Sequence, residues 1–159
     1  MIKITGVLLL LAAFLIIGLK KRCALIGRLK ILRESEAAAM TAYSRLKCMC
    51  MPLDECFSES GGLFSEAARR MSDGEMPREA MHGAAKANRF LKSCDRAAFS
   101  DFADGLTLGD CAGQLSNLEM LRERLRPLAA EAADDAARLG KLCVEGFFLA
   151  GAAFALILI

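Results

Sequence analysis

The residues that decide the fold stand at the two ends of the chain: ITGVLLLLAAFLIIGL at residues 4–19 and VEGFFLAGAAFALILI at residues 144–159. The first stretch is uncharged and makes about 24 Å of helix, slightly less than the roughly 30 Å of a bilayer's hydrocarbon core. Ile2 and Lys3 can close the gap, because a lysine side chain reaches from the apolar layer to the interface. The sequence therefore predicts a membrane anchor at its N-terminal end.

A cleaved signal peptide is the main alternative for the first apolar stretch. Such a peptide has its positive charge before the apolar run and small residues at a cleavage site after it. Here the basic cluster Lys20-Lys21-Arg22 follows the run, and no A-x-A pattern is present. An uncleaved anchor is the better interpretation. The positive-inside rule then places the residues after the cluster in the cytoplasm.

The second apolar stretch is shorter, because Glu145 interrupts it near its start. It either crosses the bilayer with its carboxylate end at the far head groups or packs as a shorter helix against the first anchor. We predict membrane anchors at residues 2–20 and 142–159. A cytoplasmic helical domain at residues 21–141 lies between them.

Composition favours an all-α fold between the anchors. Ala, Leu, Glu and Arg dominate, and all are good helix formers. No segment alternates apolar and polar residues with period two, as a half-buried strand would. The fold class predicted is all-α, a small helical bundle of about five to six helices flanked by membrane helices. The net charge of +2 is too small to indicate nucleic-acid binding.

Proline and glycine positions divide the central residues into helices. Pro52 and Pro77 suit first helical turns, because a proline there removes no intrahelical hydrogen bond. Glycines after residues 60 and 73 and between residues 105 and 109 are breakers. The helices predicted run to about residue 50, from 52 to about 60, from 63 to 71, from 77 to about 90, from about 93 to 105, and from 110 onward.

The last helix carries a leucine seam and a proline. Leucines recur over residues 115–128 at gaps of three and four, which suits either core packing or a dimer zipper, and core packing is preferred. Pro127 is predicted to kink or break this helix near Arg126, because it lacks the N–H that the helix needs.

The basic residues after the first anchor have two interpretations. They form either a solvated face that touches lipid head groups, which we prefer, or a site for a specific acidic partner. The run consists of Lys20, Lys21, Arg22, Arg28, Lys30 and Arg33.

Cysteine and histidine positions give no indication of catalysis or metal binding. The seven cysteines are odd in number and irregular in spacing, so a disulfide framework is not expected. Cys48, Cys50 and Cys56 lack the paired knuckles of a zinc site, and the one histidine, His82, lies in another predicted helix. Reduced thiols packed as small hydrophobes are the better interpretation. No catalytic motif is present, so we expect no enzyme, no metal and no cofactor.

A charged residue at a membrane boundary needs a partner. Glu145 falls at the cytoplasmic end of the second anchor, and Lys20 and Lys21 fall at that end of the first. We predict that they pair and fix the depth of an antiparallel hairpin. Small residues on both helices would let them approach closely. These are Gly6, Ala13, Gly18, Gly146, Ala150 and Gly151.

This arrangement resembles the stage III sporulation protein AB family of endospore-forming Firmicutes over nearly the full chain. The similarity lies in the start MIKITG, the basic stretch, the PLDE segment after a long helix, and the bare apolar C-terminal end. FADGLTLGDCAGQ at residues 102–114 is its most specific part. The family-signature turn implied by the resemblance comprises Gly105, Leu106, Gly109, Asp110 and Gln114, with Pro52 as a second signature position.

The resemblance implies a non-enzymatic part in the channel complex between mother cell and forespore. The family is similar to the cytoplasmic domain of the F protein of type II secretion, which contacts a hexameric ATPase. The partners implied are the lipid bilayer, the sister ATPase (stage III sporulation protein AA) and other channel-complex subunits. The location implied is the mother-cell membrane around the forespore. The alternative is a coiled-coil membrane scaffold that associates with itself and has no ATPase partner.

Overall fold

The computed structural model describes residues 2–49, 53–106 and 111–158, and over these residues the chain forms helices joined by short turns, without a strand. An all-α helical bundle is therefore confirmed. The helices are α1 (Ile2–Met49), α2 (Leu53–Ser58), α3 (Leu63–Ser72), α4 (Pro77–Ala87), α5 (Ser93–Gly105) and α6 (Cys111–Leu158).

The chain divides into two compact units. Unit 1 is made of residues 1–29 and 131–159, and unit 2 of residues 30–130. The two long helices, α1 and α6, each contribute residues to both units. These bounds describe compactness, so the membrane boundaries after residue 20 and before residue 142 stay a prediction.

Both predicted anchors lie in the long helices of unit 1. A search of the described residues finds no helix whose length and apolar character suffice for a membrane crossing. Side chains at residues 2–5, 7–8, 10–11 and 154–159, which belong to the two predicted anchors, lie outside the description.

Unit 2 is built around buried phenylalanines. The ring centroids of Phe57 and Phe64 lie 4.8 Å apart in an edge-to-face arrangement, and Phe102 lies 5.9 Å from Phe64. Phe99 of α5 is also fully buried. Edge-to-face pairs add about 0.5–1.5 kcal/mol beyond their buried area. The cluster therefore joins α2, α3 and α5 through their side chains.

The two long helices supply the aliphatic part of this core. From α1, Leu32, Ala39 and Leu46 are buried. From α6, Leu118, Leu121 and Leu125 are buried in the leucine seam, while Leu115 and Leu128 are half-buried. The seam therefore packs largely within the described residues of unit 2.

Glycine backbone conformations and a side-chain hydrogen bond mark the ends of the short helices α2, α3 and α4. Gly62 (φ 68°) and Gly74 (φ 95°) follow α2 and α3, and both adopt the left-handed conformation that favours glycine. The fourth helix stops at Ala87, before the predicted residue 90, because the Asn88 side chain accepts the Phe90 N–H (3.0 Å) in a turn.

The start of α5 is stabilised by an acidic residue in its first turn. Asp95 is fully buried, and its carboxylate accepts the Lys92 N–H at 2.9 Å. A carboxylate there satisfies an N–H group that the helix leaves unpaired, and it suits the positive end of the helix dipole. The predicted start near residue 93 is confirmed.

The predicted break at Pro127 is absent, and α6 runs through this residue. Pro127 and Glu123, whose carbonyl the missing N–H would have met, are both exposed, so water can satisfy that carbonyl. The buried residues Leu125 and Ala129 hold the helix on both sides. Tertiary packing therefore outweighs the local cost of the proline.

Arg28 departs from the solvated basic face that the sequence predicts. Only 2% of it is exposed, and its Nη1 lies 3.2 Å from Glu131 Oε1 and 3.3 Å from Asp135 Oδ2. The two acids are four residues apart, so they share one face of α6. This basic residue has acidic partners inside the chain, and the interaction joins α1 to α6 within unit 1.

Neutralising both acids tests this ion pair. We expect Glu131→Gln with Asp135→Asn to lower the Tm by about 4–10 °C, because a buried guanidinium loses its counter-charges. The measurement is thermal unfolding of the full chain in mild detergent, followed by circular dichroism.

The matched control removes another ion pair of α6, Arg138 with Asp134, whose side chains are 77% and 59% exposed. Arg138→Gln with Asp134→Asn should change the Tm by less than about 2 °C, since exposed pairs contribute little. Equal effects of the two double variants would contradict a special role for Arg28.

Candidate interaction surfaces

Exposed apolar side chains concentrate on unit 1. Of the thirteen large apolar residues exposed in the described part of the chain, ten belong to this unit. They are Leu9, Leu15, Ile16, Ile17, Leu19, Ile26, Leu139, Leu142, Phe148 and Leu149. The remaining three, Met40, Met76 and Met120, belong to unit 2. Soluble proteins rarely expose so large an apolar surface unless it is an interaction site.

The two helices of unit 1 approach closely at Gly18, one of the small residues expected to allow this. A Cβ on Gly18 would lie 3.1 Å from the Cys143 carbonyl oxygen and 3.4 Å from Val144 Cα. Gly151 is buried, whereas Gly6 and Gly146 have nothing within 4 Å of a Cβ position. Close contact is therefore concentrated at particular positions along the pair.

The charged residues predicted to pair across the hairpin are all exposed. The Lys21 ammonium lies 5.3 Å from the centroid of the Phe147 ring, a cation–π contact two residues beyond Glu145. Among the described residues, no ion pair joins Glu145 to Lys20 or Lys21. The structure thus brings Lys21 next to the segment that carries Glu145, and the pairing of their charges stays a prediction.

The family-signature turn is described in part. Gly109, Asp110 and Pro52 lie outside the described residues. Gln114 is half-buried near the start of α6, and Leu106 is buried, with its N–H donating to the Ala103 carbonyl at 3.1 Å.

Gly105 leaves room for a residue that the sequence did not single out, Asn117. The Asn117 Nδ2 donates to the Phe102 carbonyl at 2.9 Å, which satisfies one of the carbonyls left open at the end of α5. A Cβ on Gly105 would lie 2.5–2.7 Å from the Asn117 amide atoms. The glycine is therefore required for space, and the contact attaches the end of α5 to α6. A polar residue next to the leucine seam was the available signal for Asn117.

Two basic residues of α4 hold an acid of α5. Asp104 Oδ1 lies 2.7 Å from Arg78 Nη2 and 3.3 Å from His82 Nε2. Hydrogen bonds from His82 and Arg78 lower the pKa of Asp104 from its ordinary value. His82 thus has a surface carboxylate as its partner, and all three side chains are well exposed.

The residues considered for a metal site lie on different helices. Cys48 is exposed on α1, Cys56 is buried on α2, and Cys50 lies outside the description. Within residues 2–49, 53–106 and 111–158, no group of three His, Cys, Asp or Glu side chains is placed to hold a metal ion. The six described cysteines are free thiols.

Comparison with known proteins identifies one family. The family model described as "Stage III sporulation protein AB (spore_III_AB)" matches residues 3–159. A solved structure named "Stage III sporulation protein AB (SpoIIIAB)" is similar, with a TM-score of 0.57 and 17% identity over 69% of this chain and 96% of that chain. At that identity the structural match supports the fold alone. No curated protein matches this chain.

Because Asn117 packs closely against Gly105, adding a methyl group at residue 105 should lower the stability of the protein. We expect Gly105→Ala to lower the Tm by about 4–8 °C, since overpacking costs about 1–3 kcal/mol where the neighbour is confined. Thermal unfolding of the full chain in detergent measures this.

The control is Gly61→Ala, where a Cβ meets nothing within 4 Å. That variant should be neutral or slightly stabilised, because alanine restricts the unfolded chain. If both variants melted alike, the spatial explanation for Gly105 would be wrong.

Proposed function

The chain belongs to the stage III sporulation protein AB family, which supports a role in sporulation, and we propose that it acts there as a membrane-held scaffold without enzymatic activity. Unit 1 contacts the bilayer, and unit 2 lies in the cytoplasm and docks a secretion-type ATPase. The membrane is that of the mother cell around the forespore, and the complex is the channel between the two cells.

The exposed apolar surface of unit 1 is the observation that carries this proposal. Burying such surface gains about 25 cal/mol per Å², so water is a poor environment for it. The exposed cluster of Lys20, Lys21 and Arg22 follows the apolar residues of α1, where lipid head groups would meet it. Apolar side chains bordered by basic residues match a bilayer in both polarity and charge.

The ATPase partner is supported by analogy and by the construction of unit 2. The family's similarity to the type II secretion F protein suggests the sister ATPase, stage III sporulation protein AA, and other channel-complex subunits as partners. Unit 2 has its own phenylalanine core and connected helix ends, which suits a body that presents a fixed surface.

Self-association through the leucine seam is the second candidate function. A zipper needs its leucines free to meet a second copy. Leu118, Leu121 and Leu125 are 0–3% exposed, so the centre of the seam is already occupied within the chain. This burial favours ATPase docking over a coiled-coil scaffold.

Membrane association predicts a selective effect of unit 1 substitutions. Ile16→Gln, Phe148→Gln and Leu149→Gln together should reduce the share of protein that resists a carbonate wash of membranes by about tenfold or more, because each change removes about 1.5–3 kcal/mol of transfer free energy. Quantitative immunoblotting of the washed membranes and the supernatant measures it.

The control replaces the three exposed methionines of unit 2, Met40, Met76 and Met120, by glutamine. It should leave the bound share unchanged. A wild-type chain that the wash releases completely would contradict the membrane role.

ATPase docking predicts a complex of the full chain with the sister ATPase in mild detergent. We expect the two proteins to elute together in size-exclusion chromatography with light scattering. A hexameric ATPase of another class should elute separately. A homodimer that excludes the sister ATPase would instead support self-association.

A further inference from the structure

A groove runs between α4 and α5 of unit 2. Its volume is about 530 Å³, and it is open to solvent. The residues that line it include His82, Lys86, Ser93, Arg96 and Ser100, together with alanines and a glycine. The lining thus combines two cations, a histidine and two hydroxyls with small residues, and it includes no carboxylate.

Several other cations of unit 2 lie in ion pairs with carboxylates of the same chain, among them Arg45, Arg69 and Arg124. Among the described residues, no ion pair involves Lys86 or Arg96. The positive charge at the groove is therefore not neutralised by an ion pair in the described chain.

The acids near the groove have other partners. Asp95 is fully buried and accepts a hydrogen bond from the Lys92 N–H at 2.9 Å, so its carboxylate stabilises the start of α5. Asp104 is held by Arg78 at 2.7 Å and by His82 at 3.3 Å. Neither carboxylate belongs to the residues that line the groove.

Arg96 is held in place by the backbone. Its Nη2 donates to the Asn88 carbonyl at 2.9 Å, which attaches the guanidinium to the loop after α4. Its Nε is buried and has no hydrogen-bond acceptor. A buried donor without a partner is unusual in folded proteins.

We propose that this groove docks a carboxylate-rich segment of a protein partner. The cations supply charge complementarity, and Ser93 and Ser100 supply hydroxyl donors along the same channel. A small-molecule site usually encloses its ligand, whereas this groove is open to solvent. Its concave form between two helices suits a peptide chain better than a lipid surface.

This inference rests on the scaffold role proposed above, but it does not depend on which subunit supplies the acidic segment. A glutamate-rich peptide labelled with fluorescein is the probe, and its glutamine counterpart is the reference. Fluorescence anisotropy with the full chain in neutral detergent measures binding. The glutamate peptide should bind, with an affinity that falls as salt rises, and the glutamine peptide should not.

The variant Lys86→Glu with Arg96→Gln should bind the glutamate peptide about tenfold more weakly. Lys86 is exposed and has no ion pair in the described chain. Lys86→Glu alone should weaken binding of the glutamate peptide about threefold. This single variant keeps the proposal testable if the double variant does not fold. The matched control is Arg122→Glu with Arg126→Gln, which changes the net charge equally at exposed positions of α6. It should change the affinity less than about twofold.

Equal weakening in the control would overturn the groove assignment, because overall charge would then explain binding. Unchanged peptide binding by both groove variants would also overturn it. If those variants instead lost binding to vesicles that contain anionic lipid, the occupant would be a membrane rather than a protein segment. The membrane-wash and ATPase experiments use neither the peptide nor the vesicles. A failure of the groove proposal can therefore be distinguished from a failure of the proposed function.

Discussion

The antiparallel contact between the first and last helices in unit 1 is the constraint on which the account depends. Gly18 meets Cys143 and Val144, Gly140 has Arg22 3.8 Å from its Cβ position, and Arg28 meets Glu131 and Asp135. Residue numbers rise along one helix as they fall along the other, so these contacts define one register. A glycine contact at one end and a partly buried ion pair at the other fix both the distance and the alignment of the helices.

This contact determines which side chains of unit 1 face outward. Polar and small residues fill the contact at Gly18, Gly140 and Arg28, and large apolar side chains lie on the surface. A helical pair in water usually buries its large apolar residues at the contact, whereas many of those in unit 1 are exposed. Unit 2, in contrast, has a buried aromatic core.

Local signals in the sequence were enough to predict most helix boundaries, but they said less about which helices contact each other. Prolines and glycines indicated where α3 and α4 begin and where α5 ends, because turn chemistry acts over a few residues. Arg28 and its acids are 103 and 107 residues apart in the chain, and periodicity cannot tell which distant carboxylate an arginine meets. For the same reason the sequence did not indicate the hydrogen bond from Asn117 to the end of α5, which needs the space left by the missing Cβ of Gly105. A break at Pro127 is absent because packing on both sides outweighed a local rule.

Collision accessibility of spin labels tests the central claim most directly. Single labels at Ile16, Leu149 and Met120, in a variant without native cysteines and in lipid vesicles, would be compared in oxygen and in a water-soluble nickel chelate. The account predicts that oxygen dominates at Ile16 and Leu149, and that the chelate dominates at Met120. Free access of the chelate to Ile16 and Leu149 would contradict it, because the exposed apolar surface of unit 1 would then lie in water.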